Sequence, residues 1–119
     1  MKTQRFILVF LVSIAALQGM HYYPLLPQTV ASHFDGAGNP NGCSSKEQLI
    51  GIYFMVIVMM SLSYLGLPLL LKYIPVSFIN FPKKDYWLAP ERKEETLLFF
   101  AEKMLMFGNV TTLFLILTF

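Results

Sequence analysis

The chain has 119 residues, of which 55% are hydrophobic and only 13% are charged, and its formal net charge is +2. Soluble domains are about 45–50% apolar and about 25% charged, and a fold this small leaves much of its chain exposed, so this composition argues against a soluble globular protein. The small net charge, without one basic patch, argues against nucleic-acid binding. We therefore expect a single membrane domain over residues 1–119.

The first apolar segment follows Lys2 and Arg5 and runs without a charge from Phe6 to Tyr23. Its eighteen residues would form a helix of about 27 Å, close to the bilayer core of about 30 Å. A cleavable signal peptide begins in the same way, but no small-x-small cleavage site follows, and the His-Tyr-Tyr at 21–23 is typical of a membrane interface. We predict a retained helix over about 6–23.

The next segment, about 24–44, is predicted to be a short ordered loop outside the membrane. Its residues 30–35, VASHFD, resemble an extended strand with Val30, Ser32 and Phe34 on one face and Ala31, His33 and Asp35 on the other. The glycines and asparagines that follow are typical of a turn. The chain's one cysteine, Cys43, lies in this loop, so an intramolecular disulfide is excluded, and the thiol is free or bridges two chains.

Ser44-Ser45-Lys46-Glu47 matches a capping box, with Ser44 as the N-cap and Glu47 three residues later. It begins the second apolar segment, which we predict to be a membrane-spanning helix over about 45–71. Three residues share one face of this helix by three- and four-residue spacing, namely Ser61, Tyr64 and Pro68. A polar pore lining is one interpretation of this face, and helix packing with a proline kink is the one that we favour.

The second loop, about 72–89, is predicted to be cytoplasmic. Six basic residues lie between Lys72 and Lys103, whereas two precede the first helix and one, Lys46, lies in the first loop. Cytoplasmic segments carry the excess of Lys and Arg, so the N-terminus is expected in the cytoplasm. Within this loop we expect four residues at the membrane interface, with the aromatic rings at headgroup depth and the lysines on anionic lipid: Tyr86, Trp87, Lys83 and Lys84.

The third helix is predicted over about 90–119, with Pro90 as its first residue and Arg92 paired with Glu95. Its uncharged run of sixteen residues would be about 24 Å long. The chain stops at Phe119 without a polar flank, and we expect that a fourth helix is missing from it.

Two blocks of the chain carry a family resemblance: LPQTVASHFDGAGNPNGCSSK at 26–46 and INFPKKDYWLAPERKEETL at 79–97. The first resembles the LP-x-x-(V/I)-x-x-H-(F/W)-(D/N)-x-x-G-x-P-(N/D)-G-x-x-S-K signature of the bacterial domain-of-unknown-function family 1648. The second is similar to a segment of small stand-alone members. The signature falls on Leu26, Pro27, Val30, His33, Phe34, Asp35, Gly38, Pro40, Asn41, Gly42, Ser45 and Lys46.

The resemblance implies a bacterial multi-pass membrane protein, and with the apolar segments it gives the fold class: an all-α integral membrane bundle of three transmembrane helices. No activity is established for the domain as a class. It is also found in the Sdp toxin immunity protein family, whose members protect cells against a secreted toxic peptide and sequester a repressor at the membrane. Those members are longer and have more spans.

Catalytic and metal sites are weakly indicated. His33 and Asp35 lie two apart and could be two ligands of a metal, but two ligands do not make a site, so we predict no metal and no cofactor. Either residue has a structural alternative, with Asp35 capping the turn and His33 bonded to loop backbone. A serine with His33 and Asp35 would have the residue types of a catalytic triad, but the sequence lacks the nucleophile elbow and oxyanion loop of a hydrolase. A pH-sensing role for His33 is a further hypothesis.

We therefore expect a non-catalytic binding, sensing or toxin-immunity-like protein of the bacterial inner membrane. Its expected partners are the lipid bilayer, an extracytoplasmic peptide, a cytoplasmic protein and, as a homo-oligomer, further copies of itself, but no nucleic acid. The alternative is a subunit of an oligomeric transporter or channel. A metal-dependent membrane enzyme is the third and least supported interpretation.

Overall fold

The computed structural model describes all 119 residues. Three long helices, one short helix and a two-stranded sheet follow one another along the chain. They are α1 (Lys2–Tyr22), β1 (Thr29–Phe34), β2 (Pro40–Ser45), α2 (Lys46–Leu70), α3 (Lys84–Trp87) and α4 (Lys93–Thr118). Single 3-10 turns follow α1 at Tyr23–Leu25 and α2 at Val76–Phe78.

The three long helices have the length and composition of membrane spans. The segments Lys2–Leu25, Lys46–Leu70 and Lys93–Thr118 have 24, 25 and 26 residues and mean hydropathies of 1.6, 2.0 and 1.4. About 20 apolar residues are enough to cross a bilayer core. Large apolar side chains such as Phe10 and Phe114 are more than half exposed outside the bundle, which suits a lipid solvent. The fold is the predicted all-α membrane bundle.

Helix α1 runs parallel to α4, and α2 runs antiparallel to both. At the start of α1, the side chain of Gln4 accepts a hydrogen bond from the Asn109 amide of α4 at 2.8 Å. Near its end, the Gln18 amide donates to the Ile116 carbonyl at 2.9 Å. The Tyr53 hydroxyl of α2 donates to the same Gln18 side chain at 2.8 Å. One glutamine therefore joins all three helices.

The packed interior lies where the three helices meet. Ala15, Tyr53 and Ile57 form its centre. On the other half of α2, Ser61 and Pro68 are also buried, and the Ser61 hydroxyl donates to the Ile57 carbonyl at 2.7 Å. The face that contains Ser61 and Pro68 thus packs against neighbouring helices, in line with the packing interpretation.

Helix α4 begins at Lys93 and not at Pro90. The N–H groups of Arg92 and Lys93 both donate to the Ala89 carbonyl, at 2.9 and 2.8 Å, and close a turn over residues 89–92. Proline is favoured as the second residue of such a turn. Pro90 therefore forms a corner ahead of the helix.

The predicted pairing of Arg92 with Glu95 is also wrong. The Arg92 Nε donates to the Tyr86 carbonyl at 2.8 Å, and the guanidinium lies 4.0 Å from the centre of the Tyr86 ring. Its ionic partner is the neighbouring Glu91, at 3.1 Å. Because Arg92 precedes the first helical residue, its side chain is turned toward α3 instead of along α4.

Tyr64 of α2 packs closely against Gly108 of α4. A Cβ atom placed on Gly108 would lie 2.6 Å from Tyr64 Cδ2 and 3.1 Å from Tyr64 Cβ. The same ring packs edge-on against Phe107, with 6.0 Å between ring centres. Small residues let membrane helices approach closely, so Gly108 provides the space that the tyrosine ring fills.

Replacing Gly108 with Ala is expected to lower the free energy of unfolding by about 1–3 kcal/mol, because the added methyl overpacks this contact. Unfolding in mixed micelles on titration with sodium dodecyl sulfate, followed by circular dichroism, measures the effect. Gly66→Ala is the matched control, since no atom lies within 4 Å of an added Cβ there and alanine is the better helix former. Equal stability of the two variants would contradict the α2–α4 packing.

Candidate functional site

The candidate site is the hairpin of β1 and β2, at the end of the bundle where α1 stops and α2 begins. The strands pair antiparallel and form a sheet of two strands only. Thr29 lies opposite Ser45 at the open end, and the register shifts on either side of His33. The pairing skips Ser32 on β1 and Asn41 on β2. Such bulges bend a strand and increase its twist.

The bulge at Ser32 overturns the predicted alternation of faces. Val30 is buried, with 9% of its surface exposed, whereas Ser32 is exposed and Phe34 is 53% exposed. A shift of one residue turns every later side chain to the opposite face. Val30 therefore anchors the hairpin alone, and Phe34 is available for contact with another molecule.

Asp35 organises the turn between the strands. Its Oδ1 accepts hydrogen bonds from the N–H groups of Ala37 and Asn39, each at 2.9 Å. Its own N–H donates to the Asn39 carbonyl at 2.9 Å, and the Gly38 N–H donates to the Asp35 carbonyl at 3.0 Å. Gly38 has a φ of 84°, which glycine adopts without strain. Asp35 thus caps the turn, which is the role predicted for it as the alternative to binding a metal.

These hydrogen bonds favour the ionised form of Asp35. The backbone N–H of Asn39 is the largest influence and lowers the pKa of the carboxyl below its usual value, against a smaller opposing effect of desolvation. The N–H of Ala37 and the Asn39 side chain lower the pKa further. The turn is therefore best held when Asp35 is charged.

His33 and Asn41 form a hydrogen bond across the hairpin, between His33 Nδ1 and Asn41 Oδ1. Because an amide oxygen only accepts, Nδ1 carries the proton in this arrangement. The predicted partner of His33 was loop backbone. The partner is instead a side chain, because the register skips Asn41 beside His33. Gly42 stands opposite His33, and an added Cβ there would lie 3.0 Å from His33 Cβ.

The hairpin does not gather a metal-ligand set. His33 is bonded to Asn41, and Asp35 is bonded to its own turn. Nowhere in the molecule do three or more His, Cys, Asp or Glu side chains come together as a cluster that could hold an ion. Cys43 is a free and exposed thiol on β2. What the hairpin offers chemically is hydrogen bonding and apolar contact.

Glu47 ties the hairpin to both helices that flank it. Its carboxylate accepts from Gln28 Nε2 at 3.1 and 3.2 Å and from the Tyr23 hydroxyl at 3.3 Å. The Lys46 ammonium lies 4.7 Å from the centre of the Tyr23 ring, and the Lys46 N–H donates to the Gln28 carbonyl at 3.1 Å. The end of α1, the base of β1 and the start of α2 are thereby joined.

The capping box of α2 lies one residue later than predicted. Ser45 is the N-cap, its hydroxyl accepts from the Gln48 N–H at 3.2 Å, and the Gln48 side chain accepts from the Ser45 N–H at 3.1 Å. Ser44 does not cap the helix: it lies opposite Val30, one residue further from α2, and its Oγ is buried without a partner. Glu47 is consequently free to bind Gln28 and Tyr23.

The signature residues therefore fall on one continuous structure. Leu26 and Pro27 precede β1, and Lys46 is the first residue of α2. The turn contains Asp35 and Gly38. The strand residues of the signature are Val30, His33, Phe34, Pro40, Asn41, Gly42 and Ser45.

Sequence reasoning missed the polar contacts between helices. Asn109 is 7% exposed, and its Oδ1 has no hydrogen-bond partner although its Nδ2 donates to Gln4. Gln18 and Tyr53 form the second contact, near the hairpin. Amide residues isolated within apolar runs usually face the bundle interior. On this basis, Gln18 and Asn109 could have been predicted from the sequence as contacts between helices.

The residues predicted at the membrane interface lie in and beside α3, at the end of the bundle opposite the hairpin. Tyr86 and Trp87 are exposed. Lys83 precedes α3 with a left-handed φ of 52°, and Lys84 Nζ donates to the Ser77 carbonyl at 3.4 Å. A cavity of about 450 Å³ lies beside them and is lined by Phe81, Trp87, Arg92, Glu95, Thr96 and Phe99.

The pKa of Asp35 predicts how the turn responds to pH. Its contribution is fully present above the unfolded value of 3.8 and is lost as the pH falls through the lower folded value. Amide protection at Ala37 and Asn39, measured by hydrogen exchange and corrected for intrinsic rates, should stay constant from about pH 7 to pH 5 and fall in stronger acid. Asp35→Ala should remove this protection at every pH. Asp85→Asn, at the far end of the molecule, is the control and should leave the protection of Ala37 and Asn39 unchanged. Loss of that protection in Asp85→Asn, or its retention in Asp35→Ala, would contradict the assignment.

No curated protein and no solved structure gave a significant match. Residues 7–60 match the family described as Domain of unknown function (DUF1648). The matched residues include most of α1, the whole hairpin and the first part of α2, whereas the second block of resemblance, at 79–97, lies beyond them. Residues 7–60 are therefore similar to the DUF1648 domain, in agreement with the resemblance of the first block.

Proposed function

We propose that this protein is a non-catalytic binding protein of the bacterial inner membrane, whose hairpin recognises an extended peptide outside the cell. Its role would be sensing or protection of the kind known for toxin-immunity proteins that share the domain. The observation that carries the proposal is the two-stranded sheet, because each strand has one partner and therefore leaves its outer edge unpaired.

An unpaired strand edge suits a peptide ligand. Its backbone N–H and C=O groups can bind a third strand, and neighbouring side chains provide specificity. Phe34 is 53% exposed at the end of β1, and an exposed aromatic ring is a common anchor in such contacts. The bulges at Ser32 and Asn41 restrict the regular ladder to the base of the hairpin, around Thr29 and Ala31. We place the peptide along this part, with Phe34 at its end.

A bound peptide could act on the helices through Glu47. A ligand shifts a conformational equilibrium only when it binds two arrangements with different affinity. The hairpin base, α1 and α2 meet at the Glu47 carboxylate through Gln28 and Tyr23. A peptide that moves the base of β1 would therefore change the relative position of the first two helices.

The distribution of charge supports an N-terminus in the cytoplasm. Of the nine basic residues, only Lys46 lies at the hairpin end, whereas Lys2, Arg5 and the six between Lys72 and Lys103 lie in the other half of the bundle. The positive-inside rule then places the hairpin outside. The segment around α3, with its exposed Trp87 and the adjoining cavity, is the surface that we assign to lipid headgroups or a cytoplasmic partner.

The transporter alternative has less support from the geometry. Buried polar side chains such as Asn109 and Thr112 lie between helices of one chain, and Thr112 bonds to the Gly108 carbonyl of its own helix at 2.8 Å. A path between protomers would need polar side chains on the outer surface of the spans. Stable oligomers with solute flux in liposomes would favour this alternative over peptide recognition.

The proposed orientation predicts that Cys43 is labelled from outside the cell. The thiol is exposed and is the only one in the chain. A membrane-impermeant maleimide should modify it in intact cells, or in spheroplasts where an outer membrane is present. In a Cys43→Ser variant, a cysteine introduced by Ser77→Cys should be modified only after lysis. Labelling of the two sites in the reverse order would invert the topology and exclude an extracytoplasmic peptide.

The peptide-binding proposal predicts that Phe34→Ser weakens ligand capture. A benzophenone attached to Cys43 can be photo-crosslinked in cells bathed in medium conditioned by the same bacterium, and peptide adducts can be identified by mass spectrometry. Truncating an aromatic anchor should reduce the apparent affinity by about tenfold or more. Phe78→Ser, which removes an 81% exposed ring at the other end, should leave the yield unchanged. Equal crosslinking yields from the labelled Phe34→Ser variant and the labelled protein with Phe34 would contradict the proposal.

A further inference from the structure

A small cavity lies between the three long helices at the end opposite the hairpin. Its volume is about 80 Å³, and its walls are mostly apolar. The cationic side chains at its rim are Arg5, from the start of α1, and Lys72, just after α2. Leucines of α2 and α4 form much of the wall, namely Leu65, Leu69, Leu98 and Leu105.

A second cavity adjoins the first. It has a volume of about 240 Å³ and is lined by Lys72, Pro90, Lys93, Glu94 and Leu97. Lys72 and Leu97 line both cavities, so the two are neighbours. Together their linings contribute three cationic side chains against one carboxylate.

The side chains of Arg5, Lys72 and Lys93 have no ionic partner within the chain, whereas Met1, which also lines the smaller cavity, has its amine paired with Glu102. The structure contains two ion pairs, one between Arg92 and Glu91 and one between the Met1 amine and Glu102, at 3.1 and 3.2 Å. Neither involves Arg5, Lys72 or Lys93, and none of these three donates a side-chain hydrogen bond. Cationic groups beside an apolar cavity favour an anion, because the apolar walls reduce screening by water.

We propose that these cavities hold the headgroup of an anionic phospholipid, with its phosphate between Arg5 and Lys72. Basic pockets between transmembrane helices bind such headgroups. The position suits a lipid, because α1 and α4 begin their spans and α2 ends its span at this level. Leu69 and Leu98, which line the smaller cavity and are 50% and 40% exposed, provide an apolar surface for the acyl chains. The cavity beside Lys93 has room for the remainder of the headgroup.

The site is independent of the peptide-binding function and of the orientation of the chain. The only requirement on the ligand is that it carries a phosphate and acyl chains in one molecule. A bound lipid would join the first turn of α1 to the end of α2, where the two helices lack a polar contact. Binding should therefore also stabilise the bundle against unfolding.

Lipid binding can be measured on the full chain in dodecyl maltoside micelles. Native mass spectrometry reports retained lipid, and thermal unfolding reports stabilisation, after addition of phosphatidylglycerol or of phosphatidylcholine with the same acyl chains. We expect selective retention of phosphatidylglycerol and a higher Tm with it. The Arg5→Gln/Lys72→Gln variant should bind it at least tenfold more weakly, since both charged contacts to the phosphate are lost.

Two variants separate this site from general surface charge and from misfolding. Lys2→Gln/Lys103→Gln removes the same charge from α1 and α4, but neither residue lines these cavities, so binding should persist. Arg5→Lys/Lys72→Arg keeps both charges and should also bind. Equal loss in the Lys2/Lys103 variant, unchanged binding in Arg5→Gln/Lys72→Gln, or equal stabilisation by inorganic phosphate would overturn the proposal.

Discussion

The carboxylate of Glu47 is the contact on which the hairpin end depends. A two-stranded hairpin is marginal by itself, and Val30 is the only strand residue here that is buried. The remaining support comes from the base, where Gln28 and Tyr23 donate to Glu47 and Lys46 pairs with the backbone of Gln28. Hydrogen bonds to an ionised acceptor are stronger than neutral ones. Glu47 is therefore the side chain that attaches the base of the hairpin to the helices, whereas Asp35 holds its turn.

The membrane spans could be predicted from sequence because lipid imposes a simple requirement. Backbone polar groups have no water partner in the bilayer, so each span must be a helix that satisfies them internally, and its outer side chains must be apolar. Long uncharged runs therefore predicted the three spans and the all-α class. The helix ends were predicted less well, because they are decided by local turns such as the one over residues 89–92, after which α4 begins at Lys93.

The hairpin could be predicted only in part. Residues typical of strands and turns indicated an extended segment and the cap formed by Asp35. The bulges were not visible, because they depend on which residues of β2 lie opposite β1. Both errors, the face of Ser32 and the choice of Ser44 as the N-cap, come from this unknown register. Ser44 and Ser45 are equally good caps by residue type, and the choice follows from where β2 ends and α2 begins, which is between Ser45 and Lys46.

Polar contacts between the helices determine how a signal could cross the bundle. Helix α1 is joined to α4 near both ends, by Gln4 with Asn109 and by Gln18 with Ile116. Within the spans, one side-chain hydrogen bond, from Tyr53 to Gln18, and aromatic packing hold helix α2, and Glu47 joins its first turn to Tyr23. Packing tolerates small sliding more readily than directional bonds do, so α1 and α4 should move together against α2. Helix α2 begins at Lys46, beside the Glu47 junction with the hairpin, and ends at Leu70, two residues before Lys72 of the basic cavities. A shift of α2 would therefore connect the two.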